Sequence, residues 1–138
     1  VDSPRTRNVE EKWMRDARFT IDDGRYAIEL HVIASGSDVV LHLDGGDRPH
    51  VGAVSLATYV KEEDRVTMRS LVAERHREDQ VTERVARAVA QELHCTAAVL
   101  AGIHYDELDQ AGIDSIRSLA DEAGSQAIAW VRSGGNRR

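Results

Sequence analysis

The chain has 138 residues, 41% hydrophobic and 30% charged, with a formal net charge of −6 at pH 7. That length suits one domain with one real core, and the acidic balance speaks against nucleic acid as the main partner. No apolar run nears the ~20 residues that cross a bilayer, the start carries no signal-peptide core, and the lone Cys95 cannot pair within the chain; the expectation is a cytoplasmic protein with no membrane partner.

Aromatic residues make up only 4%, so the core must be built from Val, Ile, Leu and Ala. Residues 1–17 are polar apart from Trp13 and Met14 and read as an N-terminal arm or short helix. Residues 18–132 read as one α+β ligand-binding domain. Residues 133–138, Ser-Gly-Gly-Asn-Arg-Arg, read as a flexible tail.

The first half has the period of strands. Tyr26, Ile28, Leu30, Val32 and Ala34 alternate with Arg25, Glu29 and His31, which predicts a strand with one buried face. The Asp23–Gly24 turn before it allows Phe19–Thr20–Ile21 to pair back as a short strand. Ser35–Gly36–Ser37 leads to a second strand in which Val39, Leu41 and Leu43 alternate with Val40 and His42. Residues 51–60 are apolar on both faces and predict an inner strand, and residues 66–72 a further one after the charged turn at 61–64. Such short connections favour an antiparallel meander.

The second half has the period of helices. Val81, Val85, Ala88, Val89 and Leu93 predict an amphipathic helix over residues 79–94, with Asp79 as its N-cap. Ala97–Ala98–Val99–Leu100–Ala101 is a short buried run that reads as a strand ending at Gly102. Ile113, Ile116, Leu119, Ala120 and Ala123 mark a second helix, which Gly124 is expected to end. Residues 126–131 read equally as an edge strand or as more helix. The predicted fold is α+β, a mostly antiparallel sheet with two main helices on one face, in the order ββββ-α-β-α.

Three polar clusters exceed what this pattern requires. Gly45–Gly46–Asp47–Arg48–Pro49–His50–Val51–Gly52 is longer than a simple hairpin needs; glycine lets backbone N–H groups approach a ligand, and Pro49 stiffens the path to His50. A long connection with an exposed histidine explains it equally well. Arg75–His76–Arg77–Glu78–Asp79 opens the long helix, where unpaired N–H groups and basic side chains suit an anion; a solvated capping segment is the plainer reading. Gly102–Ile103–His104–Tyr105–Asp106 lies at a strand end, a favoured ligand position, while Asp106 or Asp109 has a second use as a helix cap. All three sit at strand ends or loops, and each brings a histidine beside glycine or arginine. By contrast His31 and His42 fall on the polar face of strands, and His94 in a last helical turn, so these three read as structural. Cys95 has no activating neighbour in sequence.

Gly45–Gly46–x–x–Pro49–His50–Val51–Gly52–Ala53–Val54, then His76–x–Glu78–Asp79, then Ala101–Gly102–Ile103–His104–x–Asp106 resembles the prenylated-flavin chaperone family known as LpdD-like, over about residues 20–122. The family has a glycine where Arg75 stands. The resemblance implies a non-enzymatic accessory protein that holds prenylated flavin mononucleotide (prenylated FMN, or FMN) and assists its delivery to, or maturation in, a UbiD-type decarboxylase. Its implied ligand positions are Gly45, Gly46, Pro49, His50, Gly52, His76, Gly102, His104 and Asp106. Arg48 and Arg77 are suited by charge to the phosphate, and Tyr59, Tyr105 or aliphatic Val and Ile to the ring. Two other readings stand beside it: a metal-dependent hydrolase or lyase using His50, His76, His104 and Asp106, and a structural subunit of a larger enzyme. A sheet with one helical face also suggests a homo-oligomer.

Overall fold

The computed structural model describes Arg5, residues 15–74 and residues 78–135. Strands β1 (Arg15–Asp22), β2 (Ala27–Ser35), β3 (Asp38–Gly46), β4 (Ala53–Val60) and β5 (Arg65–Val72) precede helix α1 (Asp79–Leu93). Strand β6 (Thr96–His104) and helix α2 (Gln110–Trp130) complete the order. The fold is α+β, as the two hydrophobic periods require, with one six-stranded, mostly antiparallel sheet.

The first strand is longer than expected. The short strand around Phe19 is a full edge strand, β1, paired along β2 from Arg15↔Ala34 to Asp22↔Ala27. The residues assigned to the arm at 15–17 therefore belong to the sheet, and five strands precede α1. The turn between the two strands is held locally: the Asp23 carboxylate accepts from the Arg25 and Tyr26 backbone N–H groups at 3.0 and 2.8 Å. Those bonds also draw the Asp23 carboxyl below its usual value, the Tyr26 N–H first.

The meander expected from the short connections is interrupted. Strand order is β1-β2-β3-β6-β4-β5, so β3 and β4 do not touch; β6 lies between them, parallel to β3 and antiparallel to β4. A residue run that is apolar on both faces suits this inner position, and Ala97, Val99 and Ala101 of β6 are fully buried beneath the helices. Ile28, Leu30 and Val32 of β2 and Val39, Leu41 and Leu43 of β3 face the same way.

The helices close that face. Helix α1 contributes Val85, Ala86, Val89 and Ala90; α2 contributes Ile116, Leu119, Ala120, Ala123 and Ala127. Asp79 is not the cap of α1 but its first helical residue, after Glu78, whose side chain makes no capping bond. The start of α1 is instead tied to the sheet by hydroxyls. Thr82 donates to the Asp79 carbonyl, so Ser55 on β4 donates to Thr82 at 2.7 Å and accepts from Ser70 on β5 at 2.7 Å.

Helix α2 starts at Asp109, whose carboxylate accepts from the Gly112 N–H at 2.8 Å. It does not stop at Gly124. That glycine is buried inside the helix, packed toward Val85 of α1, and residues 126–130 continue helical because Ala127 extends the inward stripe. A π-turn, Val131–Gly135, follows, in which Ser133 Oγ donates to the Trp130 carbonyl. His94 ends α1 in the left-handed region (φ 50°) and its ring stacks on Tyr59 at 4.0 Å. No described helix is long and apolar enough to cross a membrane.

Candidate ligand-binding site

Parallel pairing of β3 with β6 brings two of the three polar clusters together: Gly45 lies beside Ile103 and Gly46 beside His104. The glycines there are demanded by the crowding of the chain itself. Gly46 has φ +83°, and a methyl group on it would lie 1.7 Å from the His104 carbonyl oxygen. The Asp47 N–H then donates to that same carbonyl at 2.9 Å. The following loop crosses β6 at Gly102, where a methyl group would lie 1.7 Å from the His50 carbonyl oxygen. Gly52 rejoins the sheet by donating to Ala101 and accepting from Ala73, and a methyl on it would strike the Glu78 carboxylate.

This crossing puts His50 against the start of α1. Its Nδ1 is 2.9 Å from the Arg48 carbonyl, which can only accept, so Nδ1 carries a proton. Its Nε2 is 3.0 Å from Glu78 Oε1, with the side chains only 23% and 12% exposed. Two acceptors around one ring favour the imidazolium. The Arg48 carbonyl foremost, then Glu78 and the nearby charge of Asp44, raise the His50 pKa above 6.5 against the opposing effect of burial. Asp44 stands on β3 with one carboxylate oxygen buried and lacking a hydrogen-bond partner among the described residues.

His104 forms the second node. Its Nε2 lies 3.1 Å from Arg48 Nη2 and 3.0 Å from Asp106 Oδ1. One ring nitrogen accepts from arginine or donates to carboxylate, never both at once, so this junction has two proton arrangements. The His50 and His104 rings stand edge to face, 6.5 Å between centroids.

Beside these nodes opens a cleft of about 510 Å³ between the N-terminal ends of α1 and α2. Val81, Ile103, Leu108, Ile113 and Ile116 form an aliphatic wall, while Glu78, Gln80, His104, Gln110 and Arg117 supply polar groups. Arg117 reaches from α2 to Gln80 of α1 at 2.9 Å. The cleft falls in the usual size range for small-molecule sites, and the mix of apolar wall with few polar groups is also usual.

The structure thus gathers Gly45, Gly46, Arg48, Pro49, His50, Gly52, Gly102, His104 and Asp106 at one end of the sheet. Of these only His104 lines the cleft itself; His50 reaches it through Glu78. His76 and Arg77 lie outside the described residues. Neither tyrosine proposed for a ring borders the cleft. Tyr105 donates to the Ala27 carbonyl and accepts from its N–H, with its ring on Tyr26, and Tyr59 is engaged by His94 and Asp64. Among the described residues no group of three His, Cys, Asp or Glu is placed to hold a metal ion. Cys95 is buried, and burial pushes its thiol up to about 11. Asp44, Gln80 and Arg117 were absent from the sequence candidates. Glu78 was visible only as part of a charge run, and Arg117 carries no signal until the helices are packed.

The fold resembles that of a chain in the crystal structure of a novel chaperone complex for yeast 20S proteasome assembly. The TM-score is 0.61 at 8% identity, over 84% of this chain and 98% of that one. At that identity the likeness concerns fold alone. Protein LpdD of Lactiplantibacillus plantarum is 26% identical over 117 residues, covering 85% of this chain and 86% of the relative. The family model for the prenylated flavin chaperone LpdD-like domain matches residues 22–132, which include β2 to α2 and every described residue of the site. The chain belongs to the prenylated flavin chaperone LpdD-like family.

Proposed function

We propose that this protein is a binding protein and not an enzyme, and that it holds prenylated FMN in the cleft between the two helix starts and passes it to a UbiD-type decarboxylase in the cytoplasm. The observation that carries the reading is the cleft, an aliphatic wall facing polar groups beside the His50–Glu78 and His104–Arg48 nodes. Family membership supplies the ligand class. The residues fit such a group: aliphatic side chains suit a flat apolar ring system, and Arg48, Arg117 and the helix N-terminal N–H groups suit a phosphate. A chaperone has no need of a nucleophile, and the chain's one thiol is buried and proton-bound at neutral pH.

Anaerobic incubation with prenylated FMN, followed by ultrafiltration and absorption of the retained fraction, tests this. Wild-type protein is expected to retain flavin near one per chain. His50→Ala, which releases the Glu78 carboxylate at the cleft wall, and Ile113→Asp, which puts a charge into the aliphatic wall, are each expected to weaken retention by about tenfold or more. No retention by the wild type, or full retention by both variants, would sink the reading.

A further inference from the structure

Helices α1 and α2 are bridged along one seam by three pairs of side chains. Gln80 meets Arg117, Arg84 meets Asp121, and Glu92 meets Arg132 just past the end of α2. The partners advance together along both helices, so the two run parallel and bring their N-terminal ends to the cleft. Two of the bridges are ion pairs away from the cleft. Arg84 holds Asp121 through two bonds, at 2.6 and 2.8 Å, and Arg132 reaches the Glu92 carboxylate at 3.0 Å.

The third bridge differs in chemistry and in place. Arg117 donates from Nη2 to the side-chain oxygen of Gln80 at 2.9 Å, and both residues line the cleft. A neutral amide occupies one donor and leaves the guanidinium charge unanswered. Among the described residues the one carboxylate paired with Arg117 is Asp114, at 3.9 Å. Asp114 is 62% exposed and already accepts from Gln110 at 3.0 Å, so water screens that pair. Arg117 is also the one arginine or lysine among the described residues lining the cleft; the Arg48 guanidinium stands at His104 instead.

Resting on the reading that the cleft holds prenylated FMN, we infer that Arg117 takes the ligand's phosphate, and that Gln80 is the residue that keeps this arginine available. On binding, Arg117 exchanges its single bond to the amide for a forked pair of bonds to two phosphate oxygens. The exchange is favourable because a phosphate monoester carries about −1.5 to −2 charges at pH 7 and matches the planar guanidinium fork. Gln80 lies in the first turn of α1, where the partial positive charge of the helix end adds to that of Arg117. Glutamate has the same reach as glutamine. At position 80 it would complete the row of ion pairs along the seam and close Arg117 to the ligand.

Anaerobic titration of the full chain with prenylated FMN and with its dephosphorylated form, prenylated riboflavin, tests the inference. The wild type is expected to bind the phosphorylated form more tightly by about tenfold or more. Arg117→Gln and Gln80→Glu are each expected to cut that preference by about tenfold, and Arg117→Lys to keep part of it. Thermal melts separate a lost contact from a lost fold: Gln80→Glu completes an ion pair and is expected to melt no lower than the wild type. A preference that neither Arg117→Gln nor Gln80→Glu changes overturns the inference and leaves the cleft as the flavin site. Equal binding of the two flavins by the wild type does the same. Binding of neither flavin by the wild type overturns both readings.

Discussion

His50 joins three parts of the chain that are far apart in sequence. Its ring links the 45–52 loop to the first residue before α1, and its charge answers Glu78 and Asp44. Because its folded pKa is raised, the stability this contact adds is fully present below the ordinary value of 6.5 and is lost as pH rises through the higher folded value. An NMR titration of the His50 ring is therefore expected to show a midpoint above 6.5, and Glu78→Gln to lower it. At pH 6 the same substitution should cost about 1–3 kcal/mol in urea denaturation. A His50 midpoint unaffected by Glu78→Gln would remove the ion pair from the account. The need for histidine-bearing loops was readable in the motif spacing, and the position of His104 at a strand end was too. The acidic partners were not: Asp44 looks like any outward residue of an alternating strand, and only the crossing at Gly102 brings His50 near it.

At the scale of elements, the two halves of the chain announced themselves by period, two for strands and 3.6 for helices. Boundaries failed where a residue type has two uses. Gly124 is a good helix terminator in sequence, yet in α2 it is a small residue that lets α1 approach, with Val85 at 3.5 Å from where a methyl group would stand. That distance is ordinary van der Waals contact and the glycine has helical backbone. Gly124→Ala is therefore expected to stabilise the protein by about 0.5–1 kcal/mol, seen as a higher Tm. At a left-handed helix terminus the same change would destabilise, so the sign decides between the two roles. Asp79 shows the same ambiguity. A capping residue was expected, but Thr82, Ser55 and Ser70 secure the helix start through buried hydroxyls that no local motif reveals.

For the molecule as a whole, β6 is the decisive strand. Among the described residues it supplies the hydrogen-bonded link between the β1-β2-β3 and β4-β5 parts of the sheet. A chain ended at Cys95 would leave β3 and β4 each with an open edge and the sheet without the buried side chains of β6 and α2. Such a truncation is expected to lack the cooperative thermal transition of the full chain, as followed by circular dichroism; a sharp transition in residues 1–95 would show that the two parts fold without β6.

The sequence by itself determined the α+β class, the element types outside residues 126–131, the aliphatic core and the three polar clusters, because these follow from local periodicity and from residues such as glycine and histidine whose presence needs explaining. Tertiary structure alone decided that β6 lies between β3 and β4, since strand order depends on long-range pairing that short connections do not reveal. That insertion sets the end of β3 beside the end of β6, draws the 45–52 loop across Gly102, and places His104 at the rim of a cleft whose walls come from two helices.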